Sequence, residues 1–549
     1  MAFFEMNIAM SGLFAAQRGL QVTSNNITNA NTTGYSRQVL SQKASIPLSG
    51  IGVGMTGTGV TTTGINRVRD SYIDRKLWSQ NPKLGEYNIK VTQNSVVESA
   101  FGEPSDTGFT AVLNDLFTGI SNLSTEPSSD VNKVALKEQM ISFTKYYNNI
   151  ASTLKNYQQD LNFDLKSTIN EINNLATHIQ SLNEQIMNAE IYGDEASSFR
   201  DERDNCIDRL SEIINIEVQE TEYEIEGNTI SKLTIKAAGQ TLVDHLNYNT
   251  LQVEVRANKV NDEDTEGLYD IVWSNGMRFD MTDANLSGEL KGIIDMRDGC
   301  GTGEENNYSG IPYYMKRLDG YVRQFAKTMS EEYSKTSDGY IQINDYSLNG
   351  KTATLLKKDS LGNISFYDKD KHLIGTIKEN ALANGYSTAY ALFTYTTGSA
   401  SGTPVSSEEL TDYTKMTATN FSISKELFDD PTSMRTLYDE SNPSDTSFML
   451  NLLSQKDNKD MFKEGDPKDY MIAIFSELGI NAKEAEMYQS TQNSVVQNLT
   501  NQCLSVSQVD ITEEFTYLIQ YQQAYQAVAK IMNTIDGIYE TTIFKLGNF

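Results

Sequence analysis

Glycines at positions 52, 54 and 57 match the spacing of the loop with which many proteins bind a dinucleotide. That chemistry requires a buried strand before the glycines and, after them, a helix whose N-terminus receives the pyrophosphate. Here residues 45–49 contain proline and serine, and the residues that follow are rich in threonine and glycine. We therefore interpret residues 52–57 as a turn-rich loop, and the sequence predicts no cofactor.

A second pattern has the carboxylate spacing of a calcium-binding loop. Asp262, Asp264, Glu266 and Asp270 occupy alternate positions of such a loop, but its twelfth position is Trp273, where a bidentate carboxylate is required. The sequence therefore predicts an acidic hairpin in solvent and no metal site. Residues 200–209 carry charges of alternating sign, which we interpret as ion pairs within and between helices on a solvated face.

Nucleophilic residues are sparse in this chain. Cys206, Cys300 and Cys503 lie too far apart in the sequence for a disulfide framework or a zinc knuckle, and their oxidation state stays open. None of the three histidines belongs to a metalloprotease pattern, and Cys503 lies on a predicted helix with no histidine near it. The sequence predicts no catalytic residues, so we expect a protein that is not an enzyme.

Composition excludes several classes of partner. The chain has 549 residues, which suggests about three to five domains, and its 45 basic and 73 acidic residues give a net charge of −28. A strongly acidic chain is a poor ligand for nucleic acid or an anionic membrane surface. Its apolar runs are too short to span a bilayer, and residues 1–10 lack the basic region and cleavage site of a secretory signal.

Both ends of the chain carry a seam of large apolar residues at heptad spacing. Because an amphipathic helix with such a seam is not stable alone in water, each seam must pair with the other, with another subunit, or with both. We predict that the two seams face each other in the assembled state and form an assembly interface. Its residues are Met6, Met10, Leu13, Leu20 and Ile27 at the N-terminus, and Leu518, Tyr521, Tyr525, Val528, Met532, Ile535 and Tyr539 at the C-terminus.

The middle of the chain alternates between helical and strand periodicity. Apolar residues step by three and four over residues 140–186, with a doubled four-step near residue 161 that indicates a stutter in a long helix. Apolar and polar residues then alternate in two stretches. We predict an α+β multi-domain protein in which residues 1–70 and 508–549 form an inner helical coiled-coil domain. Residues 71–216, 286–336 and 422–507 form a helical trunk, and residues 217–285 and 337–421 form two inserted β-rich outer domains.

Several motifs resemble the flagellar axial protein family, which comprises rod, hook and hook-associated proteins. Residues 10–18 (MSGLFAAQR) and 24–35 (SNNITNANTTGY) carry the resemblance at the N-terminus, and residues 57–60 with Ile65, Arg67 and Asp70 are similar to the next motif. Residues 36–38, 113–117, 123–124, 200–204, 287–292 and 519–527 are similar to the hook-associated branch of the family. Gly19 departs from the helix formers common at its position and should weaken the N-terminal helix by about 0.5–1 kcal/mol.

The resemblance implies a structural function outside the cell. Proteins of this branch are exported unfolded by the flagellar type III apparatus without a cleaved signal peptide, and they assemble into a helical ring at the hook–filament junction. The resemblance implies hook protein, a second junction protein and a cytoplasmic export chaperone at the C-terminal segment as partners. Two alternatives stay open: the hook protein or another axial protein, and a binding module displayed on the flagellum in residues 337–421.

Overall fold

The computed structural model describes most of the chain. It describes every residue except residues 1, 50–54, 103–107, 193–195, 226–227, 284, 302–306, 360, 380–381, 383–385, 399–401, 411, 440, 443 and 542–549. Residues 52–54 of the glycine pattern therefore lie outside the described residues. Among the described helices, none is both long enough and apolar enough to cross a membrane.

The two ends of the chain lie side by side. The N-terminal helix α1 (Ala2–Asn29) packs along the C-terminal helix α11 (Ile511–Glu540). Four strands follow α1 in the sequence. Strand β1 (Gln38–Ala44) pairs antiparallel with β4 (Val60–Arg67), and the short β2 (Leu48–Ser49) pairs with β3 (Met55–Thr56). Residues 55 and 56 of the glycine pattern thus form a strand in a hairpin, and the element that follows is the strand β4, not the helix that dinucleotide binding requires.

A set of helices forms the body of the molecule around one large apolar core. Helices α2 (Ser71–Phe101) and α10 (Pro467–Ser507) pack on each other and connect this body to the two ends of the chain. The helices are α2 (Ser71–Phe101), α3 (Phe109–Thr125), α4 (Asp130–Ile191), α5 (Ser197–Ile213), α6 (Glu289–Asp298), α7 (Ile311–Tyr333), α8 (Lys425–Asp429), α9 (Ser447–Ser454) and α10 (Pro467–Ser507).

Helix α4 has 62 residues and is therefore about 93 Å long. The Ser129 hydroxyl caps its first turn by accepting a hydrogen bond from the Asn132 N–H. The predicted apolar seam is buried over most of this length, but Gln158 is buried where the pattern placed Tyr157. The Gln158 amide donates to Asp264 and to the carbonyl of Arg297, so the break in the heptad pattern positions a polar side chain that binds the adjoining β region.

The first β region packs directly on the helices. Strands β5 (Ile216–Ile225), β6 (Asn228–Ala237), β7 (Gln240–Asp244) and β8 (Asn247–Tyr248) form a sheet in sequence order, and β9 (Leu251–Val255) pairs with β10 (Tyr269–Trp273). Apolar side chains from β6, β7, β9 and β10 belong to the same core as α4 and α5. This β region therefore shares its hydrophobic core with the helical body.

The second β region has a core of its own. Strands β11 (Ile341–Leu348), β12 (Lys351–Lys358), β13 (Asn363–Tyr367) and β14 (Leu373–Lys378) form a four-stranded antiparallel meander. Its buried side chains, including Ile341, Leu356 and Phe366, form a cluster separate from the main core. The chain then returns to the body through β15 (Phe393–Tyr395), which pairs with β16 (Phe421–Ile423).

Candidate assembly site

The contact between α1 and α11 joins small side chains on one helix to large ones on the other. The buried positions among the described residues of α1 are Ala9, Ala15, Ala16, Gly19, Val22, Thr23 and Asn26. A β-carbon built on Gly12 would lie 3.5 Å from Cγ2 of Val528, and one built on Gly19 would lie only 2.5 Å from Cε1 of Tyr521. Gly19 is therefore the position at which the Tyr521 ring approaches the α1 backbone, which explains a residue that is otherwise unfavourable in a helix.

The predicted seam residues lie along this contact, but on α1 they lie beside its centre. Met6, Leu13, Leu20 and Ile27 are half-buried and Met10 is 36% exposed. The residues that contact α11 directly include Gly12, Gly19 and Asn26, each one residue before a predicted position. On α11 the predicted positions are the less exposed ones. Leu518, Tyr521, Val528, Met532 and Tyr539 are half-buried, Ile535 is buried, and Tyr525 is 38% exposed.

Large apolar side chains remain exposed on both flanks of the paired helices. Monomeric proteins seldom expose many such side chains close together, and contiguous patches of this kind mark interaction sites. The hairpin formed by β2 and β3 adds further exposed apolar side chains at the same end of the chain. These exposed residues include Met10 and Phe14 on α1, Phe515, Ile519, Ile531 and Ile538 on α11, and Ile46, Leu48 and Met55 near the hairpin.

Asn26 is the centre of a buried hydrogen-bond network at the end of α1. Its amide group donates to the carbonyl of Gln38 at 2.8 Å and to the Glu514 carboxylate at 3.1 Å. Its side-chain oxygen accepts from the N–H of Gln38 and from the hydroxyl of Tyr35. Burial, with the charges of Asp201 and Glu514 nearby, raises the pKa of Tyr35 to about 12, so its hydroxyl stays a donor. This network joins the first residue of β1 and the first turn of α11 to the end of α1.

Arg37 connects the same strand to both C-terminal helices. Its backbone N–H donates to the carbonyl of Ser507 at the end of α10 at 2.8 Å. Its guanidinium lies 2.9 Å from Glu514 and 3.2 Å from Glu513 in the first turn of α11. The polar motif at residues 24–38 thus lies where the two ends of the chain contact each other.

The charged run of α5 holds the terminal segment on the helical body. Arg67 Nη1 lies 2.6 Å from Asp204 and 3.2 Å from Asp201, and the N–H of Ser36 donates to Asp201 at 3.0 Å. Asp201, Arg203 and Asp204 are all buried. The prediction of a solvated helix face was therefore wrong here, and these ion pairs join α5 to strand β4 rather than to another helix. Arg67, Ser36, Asp201 and Asp204 are called the charged joint below.

Arg209 agrees better with the prediction that residues 200–209 form ion pairs on a solvated helix face. Its guanidinium pairs with Glu171 on α4 and with Glu289 on α6, both at 2.7 Å, and it is partly exposed. Glu212 on its own helix also pairs with it at 2.9 Å. Charge alternation alone could not separate these half-exposed pairs from the buried charged joint, because the pattern along the helix is the same.

The candidate calcium loop binds protein groups. Asp264 is buried, where it accepts from the N–H of Asn261 and from the amide of Gln158, and Asp270 pairs with Arg256 at 2.8 Å. The expectation of a solvated acidic hairpin is therefore wrong for Asp264, which binds Asn261 and Gln158 instead of solvent.

A second group of possible metal ligands lies in the second β region. Single ligand atoms of Asp368, Asp370 and His372 lie within 4.8 Å of one another. The Asp368 carboxylate accepts hydrogen bonds from the backbone N–H groups of Asp370 and His372 in the same turn.

Three family models match this chain. A model described as the flagellar hook-associated protein FlgK helical domain matches residues 94–340. A model of the flagellar basal body rod FlgEFG protein C-terminal matches residues 500–543, and one of flagella basal body rod proteins matches residues 6–35. The last two matches cover most of the paired helices α1 and α11.

Similar proteins extend over nearly the whole chain. Flagellar hook-associated protein 1 of Bacillus subtilis is 27% identical over 99% of this chain and 98% of its own length. The protein of the same name in Escherichia coli is 24% identical over 98% and 99%. The structure of the flagellar hook junction protein FlgK from Burkholderia pseudomallei covers 79% of this chain and all of its own, at 12% identity and a TM-score of 0.48.

Matches to the helical domain and to both chain ends, together with relatives aligned end to end, agree on one assignment. This family consists of structural flagellar components and is not a class of enzymes. The chain resembles flagellar hook-associated protein 1 over nearly its whole length and is a structural subunit of the bacterial flagellum.

Proposed function

We propose that this chain assembles into a ring on the distal end of the hook and forms the junction to which the filament attaches. Relatives over nearly the full length of the chain are named hook-associated protein 1, which supports a place at this junction over one in the rod or hook. The observation that carries the proposal is the exposed apolar surface of α1 and α11, which an isolated subunit leaves in water.

The assembly interface that we propose consists of the predicted seam residues and the exposed side chains beside them. The half-buried seam residues contribute one side to the contact within the chain and leave the other side accessible. Phe515 and Ile519 lie on one flank of the α11 seam, and Ile531 and Ile538 lie on the other, because a helix turns about 100° per residue. A helix that exposes apolar side chains on two flanks is suited to contact neighbours on both sides, as a ring requires.

A deletion in the source organism tests the junction function. An in-frame deletion should yield hooks without filaments in electron micrographs, with flagellin released into the medium. Cells without hooks would instead favour the hook protein, and cells with normal filaments would contradict a function in the flagellar junction. Complementation with the full chain should restore filaments.

A matched pair of variants separates pairing within the chain from assembly between chains. Ile531 is 52% exposed, so Ile531→Asp should abolish assembly while the subunit keeps its helical content and unfolding temperature. Val528 faces Gly12, so Val528→Asp should abolish assembly and also loosen α1 from α11. Leu361→Asp, at an exposed apolar residue in the second β region, is the control and should assemble normally. Normal assembly of the Ile531→Asp variant would contradict the proposed interface.

The proposed partners are hook protein on one side, a second junction protein on the other, and a cytoplasmic chaperone before export. We propose export by the flagellar type III apparatus without cleavage of a signal peptide. The C-terminal segment supports a chaperone site, because α11 has few buried side chains even in the folded chain and would expose its whole seam before α1 pairs with it. Truncation at residue 507 should abolish chaperone binding in a pull-down from cell extract, whereas Leu361→Asp should not.

The second β region supports one further possibility. Its separate core is typical of a module that can bind a ligand without involvement of the helical body. Deleting residues 339–390 should leave filament attachment intact if the region is only a displayed module. Loss of the junction in that variant would place the region in the assembly itself.

A further inference from the structure

A buried thiol meets a partly exposed imidazole and carboxylate between α4 and α5. Sγ of Cys206 lies 3.5 Å from Nδ1 of His178, and Nε2 of the same ring lies 3.2 Å from Oε1 of Glu202. The chain has only three cysteines and three histidines, and one of each is brought together here. Glu202 and Cys206 are four residues apart on α5, so they share one face of that helix.

The distance between the sulfur and the nitrogen suits a shared metal ion. A zinc ion bonds thiolate sulfur at about 2.3 Å and imidazole nitrogen at about 2.0 Å, and tetrahedral geometry then separates the two ligand atoms by about 3.5 Å. The two atoms already have this separation across the helix pair. An ion placed between them would require little movement of either side chain.

Glu202 is in the position of the outer partner that metal-bound histidines commonly have. With Nδ1 facing the thiol, the proton of the neutral ring resides on Nε2 and is donated to the Glu202 carboxylate. A carboxylate at the far nitrogen fixes the tautomer and makes the ring a better ligand. The His178 and Glu202 side chains are 49% and 53% exposed, which leaves room for water in the remaining coordination positions.

We propose that Cys206 and His178 bind a divalent transition-metal ion, with zinc as the best match, and that Glu202 orients the imidazole. Binding exchanges the thiol proton, which passes to solvent, for the metal–sulfur bond. The carboxylates of Glu202 and Asp208 lie on the same helix as Cys206, and their negative charges attract a dication.

Cobalt(II) titration of the untagged full chain under reducing conditions tests this site. Cobalt should produce the near-ultraviolet charge-transfer band of a thiolate ligand, and zinc should displace the cobalt. The band should disappear in Cys206→Ser and persist in the matched controls Cys300→Ser and Cys503→Ser. His178→Gln should also remove it, and Glu202→Gln should lower the affinity about 10–100-fold.

The absence of a band in the wild-type chain would overturn the proposal, as would a band that persists in Cys206→Ser. A band lost only in Cys503→Ser would place the metal at another cysteine and equally overturn it. As a second measurement, zinc should slow the alkylation of Cys206 relative to Cys503 when the two are followed by mass spectrometry. Equal rates with and without zinc would contradict the proposed site independently of how the variants fold.

Discussion

The two glycines of α1 that face α11 should respond in opposite directions to the same substitution. In an exposed helix, alanine is more favourable than glycine by about 1 kcal/mol. At Gly12 the added β-carbon meets Val528 at an ordinary contact distance of 3.5 Å, so Gly12→Ala should stabilise the helix pair by about 1 kcal/mol. At Gly19 the added carbon would lie 2.5 Å from the Tyr521 ring, and overpacking of this kind costs about 1–3 kcal/mol.

The net effect of Gly19→Ala is therefore a destabilisation of about 0–2 kcal/mol, after the helix preference of alanine is subtracted. Amide hydrogen exchange in α1 measures this locally, which matters because a multi-domain chain need not unfold in one step. Since 1.4 kcal/mol corresponds to a tenfold change, Gly12→Ala should slow exchange about fivefold and Gly19→Ala should accelerate it by up to about 30-fold.

A third variant checks the proposed cause. Replacing Tyr521 by alanine removes the ring that Gly19 accommodates, so Gly19→Ala should become stabilising in that background. If both glycine variants slow exchange equally in the wild-type background, the ring moves aside freely. That result would refute the close approach of Tyr521 as the reason for glycine.

Two further predictions concern buried charges. Asp204→Asn removes the carboxylate 2.6 Å from Arg67 and should loosen the terminal segment from α5 by about 1–3 kcal/mol, seen as faster proteolysis within residues 37–70. Glu212→Gln, at an exposed ion pair, should leave proteolysis unchanged. Burial raises the pKa of Asp319 to about 6, against about 3.9 in an unfolded chain, so its contribution to stability is complete below pH 4 and is lost as the pH rises through 6. Asp319→Asn keeps the acceptor for the Ala418 N–H, so thermal unfolding should show it to be as stable as the wild-type chain near pH 4 and more stable by about 3 kcal/mol at pH 8. A constant difference at all pH values would contradict this account.

Large side chains at regular spacing made much of this architecture predictable. Apart from Tyr525, the residues that the pattern selects in α11 and in the long run of α4 are buried or half-buried, because one apolar face must leave water. On α1 the same reasoning selected the large residues, whereas the face against α11 consists of small ones. Close packing of backbone on aromatic rings depends on the partner helix, and no hydrophobicity pattern within α1 reveals it.

The charged joint was unpredictable for a different reason. Asp201 and Asp204 have the sequence environment of a solvated helix, and their partners Ser36 and Arg67 lie more than 130 residues away. A buried carboxylate and an exposed one look alike until the element that covers them is known. The motif at residues 24–38 marked this region only through its resemblance to axial proteins, while the hydrogen bonds of Asn26 and Arg37 supply the physical reason for its composition.

The pairing of α1 with α11 also has a consequence for folding, because the two helices lie at opposite ends of the chain. Asn26 bonds to Glu514, 488 residues along the chain, and closing a loop of this length in an unfolded chain costs on the order of 5 kcal/mol. Once the body folds, α2 and α10 hold the chain ends close together and most of that entropy has already been lost. The helix pair is then a late event that reports whether everything between the two ends has folded, so a truncated or misfolded chain never completes its terminal surface.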